Sequence, residues 1–326
     1  MKDRELSQTL DNIFIAVSFL GVKPIQTLLI ELLLCLSVGS LIGALNPGLS
    51  SRFVMPLIDF GVPISVMGLL LQVGLDFRLL KASFLAVLMI GLLILLLRTI
   101  PKVKLLISRP TLQLASGFGN TGYLGIPVAL ALIPNQALPI SIGYDLGATL
   151  LIWSMGPLFL REGSKSLFSL SSSLLIKALL ASPAAKGLIG ALIMQSTPWG
   201  ETMARALWGP SQLVIALGLL AVGIRFGSLW PLDPSFVIKH KSLVQITLFI
   251  KLIAFPLFVL AICLLFQMPS LSKEAFVMQA ATPTAISVLL ISEANGKDQD
   301  IAAVVVVLST LISVMTIPLW SLALQI

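Results

Sequence analysis

The stretch Ser116-Gly-Phe-Gly-Asn-Thr-Gly-Tyr-Leu-Gly-Ile-Pro-Val128 places four glycines, an asparagine and a proline inside an apolar segment long enough to cross a membrane. Lipid forms no hydrogen bonds with backbone groups, so a helix is interrupted at this depth only where protein or a water-filled cavity receives the freed N–H and C=O groups. Many transporters build their substrate sites from such interrupted helices. The stretch therefore predicts a membrane protein with one broken helix.

The composition indicates a polytopic membrane protein. Of the 326 residues, 57% are hydrophobic and 11% are charged, whereas a soluble domain averages about 25% charged residues. The net charge of +7 does not indicate nucleic-acid binding, because the basic residues are scattered between apolar segments. Cys35 and Cys263 both lie in apolar runs, which is typical of small buried side chains rather than of a disulfide or a metal site.

Apolar windows of about 20 residues predict an all-α membrane protein with ten transmembrane helices. The predicted spans are 25–45, 53–75, 79–97, 110–133, 137–160, 179–196, 204–226, 242–267, 273–294 and 300–325. Residues 1–24 are expected to form a surface tail, and residues 161–178 a cytoplasmic loop. Lys and Arg residues are more frequent in the loops after odd-numbered spans, so the positive-inside rule predicts that both termini of this inner-membrane protein are non-cytoplasmic.

Short matches relate the first five spans to the last five, which predicts two repeats over residues 25–160 and 179–326. The matched pairs are Leu41-Ile-Gly-Ala-Leu45 with Leu188-Ile-Gly-Ala-Leu192, Leu70-Leu-Gln-Val-Gly-Leu-Asp-Phe77 with Leu219-Leu-Ala-Val-Gly-Ile-Arg-Phe226, and Thr149-Leu150 and Pro157-Leu158 with Thr310-Leu311 and Pro318-Leu319. Because five is an odd number, the second repeat enters the membrane from the opposite side. Inverted repeats of this kind are a common frame for alternating access.

The ninth span is the partner of the interrupted fourth span in this repeat. It contains Gln279-Ala-Ala-Thr-Pro-Thr-Ala-Ile-Ser287, in which a proline lies between two threonines near the middle of the span. Proline removes a backbone donor and breaks a helix interior. Both halves are therefore predicted to carry an interrupted helix at the same position.

These two segments also carry a resemblance to a known family. Asn120-Thr-Gly-Tyr-Leu-Gly-Ile-Pro127, together with the tail from Gln279 through Pro318-Leu-Trp320 and its Ser309-Thr310-Leu311 motif, resembles the auxin efflux carrier family. That family includes plant auxin exporters and bacterial organic-anion permeases, and it is related to the bile acid:sodium symporters. One departure is Ser182-Pro183 at the start of the sixth span, where the family usually has Asn-Pro. Pro183 still suits the first turn of a helix.

The resemblance implies that spans four and nine unwind near a proline and cross beside the substrate. It also implies a scaffold of spans one, two, six and seven and a mobile domain made of the other spans. A homodimer is expected to form through the scaffold. Asn120 and Pro127 match the family's fourth-span break, and Pro283 matches its ninth-span break. The neighbouring polar and glycine positions complete the set of candidate substrate-binding residues: Thr121, Gly122, Gly125, Gln279, Thr282 and Thr284.

Each candidate also has a structural interpretation. Asn120 can cap the broken helix, the glycines can serve close helix packing, and the threonine hydroxyls can bond to neighbouring carbonyls. In favour of ligand binding, half-helices that begin at the membrane centre direct N–H groups and a positive dipole end inward. A small organic anion such as a carboxylate is the substrate that this arrangement favours.

Two charged residues within spans are candidates for coupling. A carboxylate at the depth of Asp145, in span five, is costly unless it is paired, protonated or hydrated, which makes it the leading candidate for proton coupling. Placed nearer the water boundary, it would be an ordinary surface residue. Lys251, in span eight, is expected to attract the anion or to neutralise Asp145, and a structural ion pair is the rival interpretation.

The residues argue against several other classes of protein. An intramembrane aspartyl protease needs two carboxylates in one site, and its second Gly-x-Gly-Asp motif is absent. The single histidine, His240, excludes histidine-based metal or nucleophile sites, and no phosphate-binding loop is present for ATP. We therefore expect a secondary transporter for an organic anion, without cofactor, metal or enzymatic activity, driven by a proton gradient or the membrane potential. Sodium coupling, a passive channel and an intramembrane protease remain the alternatives.

Overall fold

The computed structural model of the chain describes residues 25–74, 77–162, 172–228 and 234–325. The predicted tail, residues 1–24, and most of the predicted loop, residues 163–171, lie outside this part. The described chain is all-helical apart from one isolated β-bridge.

Sixteen α-helices make up the described chain. In chain order they are α1 (Ile25–Leu45), α2 (Leu49–Pro56), α3 (Val62–Val73), α4 (Phe77–Thr99), α5 (Pro101–Leu106), α6 (Pro110–Gly117), α7 (Ile126–Leu132), α8 (Leu138–Glu162), α9 (Ser172–Ala181), α10 (Pro183–Gln195), α11 (Gly200–Gly227), α12 (Pro234–Phe249), α13 (Phe255–Leu265), α14 (Ser270–Ala280), α15 (Ile286–Ala294) and α16 (Gln299–Leu324). Three π-helical turns accompany these helices: Leu57–Gly61 joins α2 to α3, Thr121–Gly125 leads into α7, and Ile250–Ala254 joins α12 to α13.

In the part of the chain that the structure describes, four helical segments are long and apolar enough to cross a membrane: α4, α8, residues Lys239–Leu265 of the α12–α13 helix, and α16. On α4, Leu80, Phe84 and Leu88 follow one another at every fourth position and are exposed, while Leu79 and Ala86 are buried on the other face. An exposed face made of large apolar side chains is what lipid contact requires. Helices also occur at the other predicted segments, and the number of spans and the inverted repeat stay predictions.

Serine stands at the start of α10, where the family that the sequence resembles usually has asparagine, and the helix cap is kept. The Ser182 hydroxyl oxygen accepts a hydrogen bond of 3.1 Å from the backbone N–H of Ala185, and Pro183 occupies the first turn of the helix. Serine and asparagine are both favoured N-cap residues because each offers a side-chain oxygen to an unpaired N–H group. The predicted first-turn position of Pro183 is confirmed.

The most extensive helix packing divides the described chain into two groups. The first group contains α1, α2, α3, α10 and α11, and the second contains α4 to α9 and α12 to α16; α11 also packs against α16 across the two groups. Within the first group α1 packs on α11 through glycines. A Cβ atom at Gly39 would lie 2.9 Å from the Cα atom of Gly223, and one at Gly227 would overlap the carbonyl of Ser40. Such contact between backbones is typical of small-residue interfaces in membranes.

The second group contains an equally close pair, α4 and α8. A Cβ atom at Gly143 would overlap the carbonyl oxygen of Leu79, and one at Gly147 would overlap the carbonyl oxygen of Ser83. Because a protein interior is close-packed, there is no room for a side chain at either glycine, and the two glycines fix the register of α8 on α4. This register determines the position of Asp145, which lies between the two glycines.

Polar contacts tie the second group together at one end. Arg109 forms an ion pair of 2.7 Å with Asp298, which also accepts a hydrogen bond from the Thr111 hydroxyl. Lys297 donates to the carbonyl of Leu160, near the C-terminal end of α8, where a positive charge complements the helix dipole. The predicted topology puts Arg109 and Lys297 on the same side of the membrane, and both lie in this cluster.

Candidate functional site

The predicted interruption after Ser116 is present and short. α6 ends at Gly117, and the backbone is extended at Phe118, with φ −93° and ψ 124°. The helix starts again at Thr121 with a π-helical turn that continues into α7. Phe118, Gly119 and Asn120 are called here the first crossing segment. Pro127 lies in the first turn of α7 rather than in the unwound segment, and its side chain lies outside the described part.

The second interruption separates α14 from α15. α14 ends at Ala280, Ala285 is extended with φ −64° and ψ 138°, and α15 begins at Ile286. Residues Ala281–Ala285 are called here the second crossing segment. Pro283, at its centre, has no N–H group, so the α14 hydrogen-bond pattern cannot continue through it.

The two crossing segments pair with each other as a short antiparallel bridge. The Asn120 N–H donates to the Pro283 carbonyl at 2.7 Å, and the Ala285 N–H donates to the Phe118 carbonyl at 3.0 Å. Gly119 lies opposite Thr284 in this bridge. Each interruption thus satisfies backbone groups freed by the other, which lipid would leave unpaired at a cost of several kcal/mol each.

Both threonines of the second crossing segment bond to the backbone. The Thr284 hydroxyl donates to the Ala115 carbonyl at 3.0 Å, and the Thr282 hydroxyl donates to the Gln279 carbonyl at 2.7 Å. The Thr284 N–H in turn donates to the Ser309 hydroxyl at 3.0 Å. These contacts agree with the structural interpretation of the threonines. Ser309 belongs to a motif that carried the family resemblance, but sequence reasoning gave it no role.

Gln279 is the candidate with unused hydrogen-bonding capacity. Its side chain is fully buried at the end of α14, and neither its amide nitrogen nor its amide oxygen has a hydrogen-bond partner among the described residues. A Cβ atom at Gly125 would overlap the Gln279 amide oxygen, so glycine at that position makes room for the amide. An unpaired buried amide is costly unless it serves a ligand or water.

Asp145 lies at the start of the helical turn that follows the first crossing segment. The Thr121 hydroxyl donates to the Asp145 carboxylate at 2.6 Å. A Cβ atom at Gly122 would lie 3.0 Å from both carboxylate oxygens. The carboxylate, which is partly buried, thus occupies the N-terminal end of a half-helix, where negative charge is favoured.

Lys251 lies beside the C-terminal end of a helix, whereas Asp145 lies beside an N-terminal end. Its side chain is fully buried, and its ammonium group donates to the carbonyl of Ala280, the last residue of α14, at 2.6 Å. The ammonium also lies 5.1 Å from the centre of the Phe255 ring. Within the described ranges Lys251 forms no ion pair with Asp145, and the expectations that it attracts the anion or neutralises Asp145 stay predictions.

Two hydroxyl groups beside Asp145 were missed by sequence reasoning. Ser141 and Tyr144 precede it on α8 and are buried, and neither hydroxyl finds a hydrogen-bond partner in the part of the chain that the structure describes. The Tyr144 ring contacts Phe276 of α14 edge to face at 5.9 Å. The available signal was their spacing, because positions three and four residues apart share one face of a helix.

The Asn120 side chain does not act as the expected cap. Asn120 occupies the N-cap position of the π-helical turn, and its backbone carbonyl accepts hydrogen bonds from the N–H groups of Leu124 and Gly125, but its side chain makes no capping hydrogen bond. Its side chain is nevertheless buried. No three His, Cys, Asp or Glu side chains in the described ranges come together as a metal site would require.

Two comparisons relate the chain to known proteins. A family profile described as "Membrane transport protein" matches residues 66–321, which include both crossing segments. The chain is also 26% identical, over 223 residues, to an uncharacterized transporter of Methanothermobacter thermautotrophicus (strain Delta H); the match covers 65% of this chain and 67% of the relative.

Proposed function

The chain belongs to the membrane transport protein family, that of the auxin efflux carriers, and from this premise we propose that it is a secondary carrier of a small organic anion that works by alternating access. The membrane transport role follows from the family, while the substrate class and the coupling are proposed here. The observation that carries the proposal is the antiparallel bridge between Gly119 and Thr284. Two half-helix ends lie at this bridge, together with Asp145, Lys251 and the buried Gln279 amide, which has no hydrogen-bond partner among the described residues.

The anionic substrate is inferred from the charges of the crossing. The N-terminal end of the helix that begins at Thr121 carries unpaired N–H groups and a partial positive charge. The Lys251 ammonium lies beside the first crossing segment, because a Cβ atom at Gly119 would be 3.2 Å from its nitrogen. The Gln279 amide can donate to one carboxylate oxygen and accept from a protonated group. Together these groups suit a carboxylic acid.

Proton coupling is inferred from the position of Asp145. Its carboxylate already occupies the helix end that suits a substrate carboxylate. Two carboxylates about 4 Å apart repel each other by about 4 kcal/mol at an effective dielectric constant of 20, which weakens anion binding by roughly a thousandfold. A proton on Asp145 removes this repulsion, so anion and proton bind together. The carrier is therefore a proton–anion symporter in its simplest form.

The proposal includes the predicted architecture of ten spans in two inverted repeats. The first helix group, joined by the glycine contacts of α1 and α11, is the scaffold, and its outer surface is where we expect a homodimer to form. The second group carries both crossing segments, Asp145 and Lys251, and moves as one body to expose the site on either side. Both termini are proposed to be non-cytoplasmic.

Transport by purified protein in liposomes tests this function. Vesicles are screened with radiolabelled mono- and dicarboxylates, with and without an inward pH gradient and an inward sodium gradient. We expect saturable uptake that the pH gradient accelerates, and accelerated uptake of label when unlabelled substrate is inside the vesicles. Uptake that does not saturate and shows no such counterflow would indicate a channel instead.

A further inference from the structure

We propose that Lys251 is a resident cation, whose ammonium group takes the place of a coupling sodium ion at the end of α14. The inference rests on the proposed carrier function and adds to it that the transport cycle needs no sodium. It starts from the hydrogen bond that the ammonium makes to the Ala280 carbonyl.

The end of α14 has the features of a cation site. The last carbonyls of a helix are unpaired and carry a partial negative charge, and in carriers with broken helices such half-helix ends and unwound carbonyls coordinate sodium. Here the Gln279 carbonyl accepts a hydrogen bond from the Thr282 hydroxyl, and the Ala280 carbonyl accepts one from the Lys251 ammonium. The oxygen that a metal ion would need is therefore already bound to a positive charge.

The surroundings of Lys251 argue against a purely structural role for this lysine. The ammonium is fully buried, and among the residues that the structure describes no carboxylate lies within ion-pair distance of it. A buried charge without a paired carboxylate is more costly than an apolar residue of the same size. The aromatic face of Phe255 and the helix end of α14 offset part of that cost. A purely structural role would be filled at lower cost by methionine.

The Lys251 ammonium lies close to both crossing segments. Lys251 lies in the π-helical turn Ile250–Ala254, and such turns often occur at functional sites. Its ammonium reaches Ala280 before the second crossing segment and lies beside Gly119 of the first. A soluble ion at this point would leave during each cycle, whereas the lysine stays attached to the moving helix group.

Thermal unfolding of purified Lys251→Ala tests the proposal without any transport assay. The substitution removes the ammonium and frees the Ala280 carbonyl. We expect sodium chloride, compared with choline chloride at equal ionic strength, to raise the unfolding midpoint of Lys251→Ala by roughly 2 °C or more and to leave the wild type unchanged. Lys186→Ala is the matched control, because Lys186 is an exposed lysine within helix α10.

Two outcomes would overturn the proposal: sodium stabilises the wild type as much as Lys251→Ala, or it stabilises neither. If Lys251→Ala does not fold, the wild type alone tests the proposal. A wild type that is more stable, or takes up substrate faster, in sodium than in choline contradicts a resident cation. A wild type that responds equally to sodium and choline supports it. A wild type that transports none of the carboxylates tested would contradict the proposed function instead, and the unfolding measurements would still decide the role of Lys251.

Discussion

The backbone N–H of Asn120 donates a hydrogen bond of 2.7 Å to the carbonyl oxygen of Pro283. The two residues lie in different crossing segments, so this bond makes the two interruptions one structural unit. Neither segment could remain extended in the membrane alone, because its backbone groups would have no partner. Changes at the crossing are therefore expected to affect transport more than changes of similar size elsewhere.

Gly119→Ala is expected to reduce transport at least tenfold. The new Cβ atom would overlap the Thr282 hydroxyl and approach the Lys251 ammonium at 3.2 Å, so the bridge must shift. Initial uptake rates, normalised to protein in the vesicles, measure the effect. Gly91→Ala is the control, because a Cβ atom at Gly91 meets no atom within 4 Å; equal rates for both variants would mean that the bridge tolerates displacement.

Asp145→Asn is expected to separate exchange from accumulation. The amide keeps the size of the side chain and removes the negative charge, so the anion binds without a proton. Accumulation driven by a pH gradient should disappear, while counterflow of labelled substrate should persist within about threefold of the wild type. Asp59→Asn, at an exposed position of the π-helical turn between α2 and α3, should behave as the wild type. Accumulation retained in Asp145→Asn would assign the coupling proton to another group.

Gln279→Met is expected to stabilise the protein and to weaken substrate binding. The buried amide has no partner among the described residues, and replacing an unpaired polar group by an apolar one of similar size removes a cost of about 1–3 kcal/mol. The unfolding midpoint should rise, and the substrate concentration for half-maximal uptake should increase about tenfold or more.

Gln113→Met provides the opposite case for comparison. Gln113 is also buried, but its side chain accepts from Arg98 at 3.2 Å and donates to the Ile107 carbonyl at 2.9 Å. Its replacement removes both of these hydrogen bonds, so the unfolding midpoint should fall. If Gln279→Met and Gln113→Met lower the midpoint equally, the Gln279 amide has a structural role that the contacts do not reveal.

Asn120→Ala and Pro283→Ala are each expected to abolish transport for different reasons. The Asn120 side chain makes no capping bond, so its loss should leave the unfolding midpoint within about 2 °C of the wild type while removing the proposed ligand contact. Alanine at position 283 restores a backbone N–H and lets α14 extend towards α15. Asn46→Ala, at an exposed position after α1, is the control, and normal uptake by both variants would exclude the crossing as the site.

The position of the interruptions could be predicted from the sequence, because glycine, asparagine and proline within an apolar run disfavour a continuous helix. The pairing of Asn120 with Pro283 could not, since no short-range pattern relates residues so far apart in the chain. The contact of Asp145 with Thr121 depends on how α8 is set against α4 by Gly143 and Gly147, which is a matter of three-dimensional packing.

The contacts of Lys251 could not be predicted from its charge alone. From the sequence, the opposite charges of Lys251 and Asp145 favour a direct pair within the membrane. The structure gives each charge a helix end instead, Asp145 at the beginning of the turn after Asn120 and Lys251 at Ala280. Helix dipoles act as fixed partial charges, and their positions become known only when the interruptions are placed.

The presence of Asp145 and Lys251 in one helix group bears on the electrical work of the cycle. With the site empty, their charges cancel, and with a monocarboxylate and a proton bound the sum is again zero. Neither movement would then carry net charge through the field of the bilayer. A potassium diffusion potential set with valinomycin should therefore leave monocarboxylate uptake unchanged, whereas a dicarboxylate, which adds one uncompensated charge, should enter more slowly against an inside-negative voltage.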